Sequence, residues 1–225
     1  MKGFIMKTMN QKQWVLIWSA PVLCISMLLL MPFLTGNIGK TAGYVTGFCI
    51  YWLIFCLPVS VYCSGGFSKL REIYRQKSNI SATRKTFYYV LALIPCIATF
   101  FAVFKNIAPI AGFQVLIIAL VFGIINGTLE EMFWRGIFNK IFNDHLILAY
   151  LYPSLFFGIW HIALCFANGI VYQGGAPSLV GGSLFMGLLW GIAAYKTKSV
   201  KIVTAAHITT NFFAFTGLIY QNWFM

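Results

Sequence analysis

The sequence predicts an all-α protein, a polytopic transmembrane helical bundle of about seven spans in one integral membrane domain covering 1–225. Three observations carry that prediction. Sixty per cent of the residues are hydrophobic, only 9% are charged, and the mean hydropathy is +0.82, whereas a soluble domain carries about 25% charged residues. The apolar residues form long unbroken runs, which suit spanning helices rather than the short alternating segments of a membrane β-barrel. The basic residues behind the net charge of +12 gather at the ends of those runs. That placement fits anionic headgroups and cytoplasmic loops better than groove binding, so membrane lipids are the expected partners and nucleic acid is not.

The first run, 14–34, follows a segment carrying Lys2, Lys7 and Lys12. It is longer than the apolar core of about 7–15 residues found in a signal peptide, and no small-residue cleavage site follows, so a retained span is expected. A second span covers 43–63 and is interrupted late by Pro58. The link 64–85 is polar, with Lys69, Arg71, Arg75, Lys77, Arg84 and Lys85 against the single Glu72. The third span covers 87–104 and the fourth runs from 110 to about 138. A short apolar piece, 145–152, then stops at Pro153; lying along the interface, it would make an eighth helix. Spans at 154–167, 178–195 and 202–220 complete the chain, the last two joined by a link bearing Lys196, Lys198 and Lys201. The alternate loops hold Lys40, Lys105 and no basic residue, so positive-inside counting places the N-terminus in the cytoplasm. The six cysteines show no metal-type spacing or disulfide framework and read as small packing residues.

Functional interest centres on the fourth span. The protein has only four acidic residues, and two of them, Glu130 and Glu131, stand together in this apolar run with Arg135 close behind. Ionisable groups at membrane depth cost about 2.5–3.5 kcal/mol each on insertion scales and mark a functional site by default. Glu131 and Arg135 are four apart in the acid-first order that favours an ion pair, which leaves Glu130 to find a partner elsewhere. The other unusual intramembrane polar residues are His161 in the fifth span, and His207 and Asn211, four apart, in the last.

Depth offers a check. With the fourth span ending near Phe138, Glu130 lies ~12 Å from the cytoplasmic end at 1.5 Å per residue. With Pro153 starting the fifth span, His161 also lies ~12 Å in, while His207 and Asn211 lie ~9 and ~15 Å beyond Lys201. All four then share one level, expected to open toward the cytoplasmic side. A carboxylate, two imidazoles and an amide suit hydrolysis. Glu130 can act as general base on a water held by His161 and return the proton to the leaving amine, with His207 and Asn211 donating to the oxyanion. Glu130, His161 and His207 are equally ordinary zinc ligands, and spacing does not decide between the two.

Three motifs in order, Glu130-Glu131-x-x-x-Arg135, Phe157-x-x-x-His161 and His207-x-x-x-Asn211, resemble the CPBP family of CAAX prenyl endopeptidases and bacteriocin-processing or immunity proteins, also called Abi. The resemblance covers roughly 110–215 and implies an intramembrane glutamate-type endopeptidase with its catalytic core there. It implies Glu130 as base, His161 on the water, His207 and Asn211 at the oxyanion, and Glu131 with Arg135 as support; no metal cofactor is the preferred reading. A short chain with this architecture resembles bacterial members, multi-pass proteins of the plasma membrane. Their expected substrate is a membrane-associated peptide or protein, such as a bacteriocin or pheromone precursor.

Plainer readings accompany these. Glu131 and Arg135 can be a purely structural pair, the two histidines packing residues, and Asn211 a bond between helices. Gly123-x-x-x-Gly127 and Gly187-x-x-x-Gly191 fit close helix packing. Two other functions fit the composition: a bacteriocin-immunity or sensor-kinase-modulating protein acting by contact, and a proton-coupled transporter, against which stands the absence of any repeat.

Overall fold

The computed structural model describes residues 9–75 and 78–225; Lys2, Lys7 and Lys77 of the basic segments lie outside them. Seven helical segments are long and apolar enough to cross a membrane: α1 (Gln11–Asn37), α2 (Lys40–Ser64), α3 (Ala82–Ala111), α4 (Phe113–Phe142), α5 (Ile147–Cys165), α6 (Gly175–Thr197) and α7 (Lys201–Phe224). Among the described residues there is no strand.

Local chemistry sets the ends. Asn10 and Gln13 close a reciprocal capping box at the start of α1, each side chain accepting from the other's backbone N–H at 3.0 and 2.9 Å. Ser81 accepts from Arg84 N and starts α3. Gly112, at φ +79°, lets α3 turn straight into α4. The third span therefore runs well past Phe104, and the loop expected around Lys105 is helix; the Lys105 ammonium lies 5.8 Å from the Phe101 ring centroid. The basic link between α2 and α3 contains a short helix, Phe67–Leu70, and a 3-10 turn, Arg71–Tyr74. Glu72 in that turn pairs with Lys140 at 2.9 Å.

Two expectations are corrected here. The piece at 145–152 is not a separate interfacial helix but the first turns of α5, which His145 caps by accepting from Leu148 N at 3.3 Å. Pro153 does not start α5 either. The preceding turn, Ile147–Leu151, is a wide π turn, and such a turn makes room for a proline ring and its missing N–H.

Depths shift accordingly. From Ile147, His161 lies ~21 Å in, and Glu130 lies ~18 Å from the later end of α4 at Phe142. Both move deeper together, so they still meet. α7 keeps pace because its leading link is tucked into the protein: Thr197, Ser199 and Val200 are all buried.

Helices in lipid gain little from apolar contact alone and associate through close packing of small residues. The tightest approach is between α4 and α7. A Cβ on Gly127 would stand 2.8 Å from Ile208 N, and one on Gly123 would stand 3.0 Å from Phe212 N. Gly187 brings α6 equally near the Ser154 carbonyl of α5, where a Cβ would come within 2.9 Å. Both glycine pairs thus serve as close-packing seams. The core they enclose is aromatic: Tyr51 stacks on Trp160 at 4.2 Å between ring centroids, and Phe48 meets Trp52, Phe122, Trp160 and Phe215. Trp18, Leu29, Phe33, Ile54 and Phe101 point outward as lipid-facing surface.

Candidate active site

The α4–α7 seam determines what the two glutamates meet. Both are fully buried. Glu131 Oε1 receives Arg135 Nη1 at 2.8 Å and faces His207 Nδ1 at 2.8 Å. Glu130 Oε2 lies 3.3 Å from His207 Nε2. One imidazole therefore bridges both carboxylates, and Glu130 finds on α7 the partner its own helix lacks. A carboxylate paired with a guanidinium only accepts, so His207 Nδ1 carries a proton and donates it to Glu131.

Arg135 is buried too, with its guanidinium 4.1 Å from the Phe157 ring centroid and Nη2 donating to Gly187 O at 3.4 Å. Desolvated cation–π contacts of this kind contribute about 2 kcal/mol. Trp190 stacks on His207 at 4.3 Å and donates its indole N–H to Ala92 O, holding the imidazole in plane. The π turn Met132–Ile137 directly follows the glutamates and carries Arg135, while another, Tyr51–Cys56, lies across from it in α2. Such turns recur at functional sites because they re-aim side chains.

His161 stands apart from the carboxylates. Its Nδ1 lies 2.7 Å from Phe157 O; a carbonyl only accepts, so Nδ1 carries the proton and Nε2 is the acceptor nitrogen. Phe157 links the two histidines, its ring centroid 4.9 Å from that of His161 and 5.8 Å from that of His207. His161 and Asn211 share a cavity of about 350 Å³ with Asn126, Trp160 and Thr210. Asn211 Nδ2 is buried there without a hydrogen-bond partner among the described residues. Such an orphaned donor costs about 1–3 kcal/mol.

The cavity differs from expectation in position. Its walls come from α2 at Tyr44 and Phe48, the middle of α3 from Pro95 to Val103, α7 from Thr210 to Leu218, the first half of α6, and Tyr172 and Gln173 of the α5–α6 loop. They run from the middle of the bundle toward the end away from the basic links. The cavity beside His161 and Asn211 thus reaches toward the end of the bundle opposite the basic links.

Four residues outside the expected site complete the surroundings of Glu130. Tyr51 Oη donates to Glu130 Oε1 at 2.6 Å, and Asn126 Nδ2 donates to Oε2 at 2.8 Å. Trp134 Nε1 donates to Tyr51 Oη at 2.8 Å, and Trp52 Nε1 to Asn126 Oδ1 at 2.8 Å. Asn126 was legible in principle, being polar and four residues before Glu130 on one helix face. A tyrosine in an aromatic-rich span gives no such signal.

Residues 112–213 match the family model described as type II CAAX prenyl endopeptidase Rce1-like. Over that stretch the chain is similar to the Rce1-like family. The Rce1-like stretch agrees with the CPBP resemblance, and with the seven spans it makes this a CAAX-protease-like, multi-pass membrane protein. It contains all three motifs and Asn126 but stops short of α2, which supplies Tyr51 and Trp52. No curated protein and no solved structure matches the chain.

Zinc was the alternative use of Glu130, His161 and His207. Among the described residues, no three His, Cys, Asp or Glu side chains converge in a way that could hold a metal ion. Glu130, His161 and His207 are thus not brought together as a three-residue donor set in this arrangement.

Proposed function

We propose that this protein is an intramembrane endopeptidase in which Glu130 activates a water against a peptide bond of a membrane-associated peptide or protein. Bacterial peptide maturation or self-protection against a bacteriocin is the setting the family suggests. The observation that carries the reading is the bridge of His207 between Glu130 and the Glu131–Arg135 pair, beside a cavity holding His161 and Asn211.

In this mechanism Glu130 takes a proton from water while the unprotonated His161 Nε2 holds that water from the cavity side. The water oxygen bonds to the carbonyl carbon, and the carbonyl π pair moves onto its oxygen. Asn211 Nδ2, a buried donor with no partner of its own, is the group assigned to that oxyanion. The proton then passes from Glu130 to the amide nitrogen as the C–N bond breaks, leaving a carboxylic acid and an amine. His207 takes a different role from the expected oxyanion donor. With its nitrogens turned to both glutamates, it ties the base to the Glu131–Arg135 pair. The chemistry is assigned to side chains alone, without a metal cofactor.

The test is incubation of purified protein with candidate membrane peptides and product mapping by mass spectrometry. E130Q should lower cleavage by at least ~100-fold, the usual contribution of a general base, with expression and thermal stability kept. A biological activity that survives E130Q in full would favour a protein acting by contact and sink the peptidase reading.

A further inference from the structure

We infer that Tyr51 and Asn126 are positioning residues for Glu130, held as one-way donors by two buried tryptophans, one on each carboxylate oxygen, so that the carboxylate is aimed as an acceptor for the attacking water. The inference rests on the peptidase reading above and adds to it the groups that aim the base.

The argument is one of donor and acceptor inventory. An indole N–H can only donate. Trp134 Nε1 donates to Tyr51 Oη, so the phenol oxygen is an acceptor on that side and its one proton must go to Glu130 Oε1, 2.6 Å away. Trp52 Nε1 occupies the amide oxygen of Asn126, which fixes the amide and leaves Nδ2 turned to Glu130 Oε2. Neither intermediary can reverse without leaving an indole N–H unpaired in the core. Stacking of Tyr51 on Trp160, at 4.2 Å and 19° between planes, also locks the phenol ring.

An ionised carboxylate offers about four acceptor positions. Tyr51 fills one on Oε1 and Asn126 one on Oε2, while His207 Nε2 stands 3.3 Å from Oε2. A position is left for a water on Oε1, the oxygen that also carries the Tyr51 bond. Donors that cannot turn away need no reorganisation as charge moves, which is how a buried site supports a general base. Tyr51 therefore sets the basicity of the oxygen that receives the proton, and it comes from α2, outside the stretch shared with the Rce1-like family.

The test uses the full chain in lipid nanodiscs and two readouts. One is the pH profile of peptide cleavage. The other is the infrared carboxyl spectrum of Glu130, isolated as the difference from E130Q; with four acidic residues in the chain, that region is sparse. A hydrogen bond to a charged group corresponds to about one to two pH units. Tyr51→Phe should therefore move the acid limb of the profile, and the midpoint at which the carboxylate band is lost, to higher pH by about that much. kcat should fall more than KM changes. Y62F, an exposed tyrosine on the same helix, should change neither readout. If Y51F does not fold, Asn126→Ala is read in the same way and should move both readouts in the same direction. Cleavage by the wild type with profile and band unmoved in the folded variant would overturn the positioning role and leave the peptidase reading standing. A shifted band in a protein that cleaves nothing would keep the positioning role and overturn the peptidase reading.

Discussion

Removing the guanidinium of Arg135 gives the sharpest test of the network. Arg135 and Glu131 pair at 2.8 Å with essentially no exposure, and Glu131 Oε2 and Arg135 Nε have no hydrogen-bond partner among the described residues. A buried pair with unfilled positions has not recovered the full cost of leaving water. Breaking it from one side leaves a lone buried charge, so R135M should lose about 3–5 kcal/mol. E131M should lose a similar amount, since it also strips His207 Nδ1 of its acceptor. Replacing both by apolar side chains of similar volume removes the unpaired charge, and the remaining loss should be about 1–3 kcal/mol for the orphaned His207 N–H. The double variant should thus be more stable than either single one. Equilibrium unfolding in mixed detergent–SDS micelles, read by tryptophan fluorescence, measures all three. Additive losses, with the double variant the least stable, would refute the view that the two residues form one electrostatic unit.

Three further outcomes are expected. Gly127→Ala places a Cβ 2.8 Å from a backbone nitrogen of α7 and should lose about 1–3 kcal/mol in thermal or SDS unfolding, whereas Gly182→Ala meets nothing within 4 Å and should be neutral. EDTA should leave peptide cleavage unchanged; loss on chelation with recovery on added zinc would return Glu130, His161 and His207 to a ligand role. Lys140, through its hydrogen bond and then its charge, holds the Glu72 carboxyl below its usual value of 4.5. The folded state therefore binds that proton less readily, so the stabilisation is present above about pH 4.5 and fades as pH falls through the lowered value. Comparing thermal unfolding of wild type and K140M across that acid range should show the dependence reduced in the variant.

Much of this was legible from residue types. Charges that cost energy in lipid stand out against an apolar background, so Glu130, Glu131, Arg135 and His207 declared themselves, as did the seven spans. Tyr51 did not, because an aromatic residue in a span packs, anchors or donates with equal ease. The choice is made by Trp134 and Trp160, neighbours on other helices. The course of α5 was illegible for a related reason. A proline ordinarily marks a helix start, and only the wide turn before it, invisible in composition, lets the helix run through. That extension carried His161 deeper.

The glycine seam between α4 and α7 has a mechanical consequence. Glu130 and His207 ride on two backbones already in contact, so neither can approach or retreat without breaking that contact. On the peptidase reading, a substrate would therefore have to come to a base that stays still on this seam.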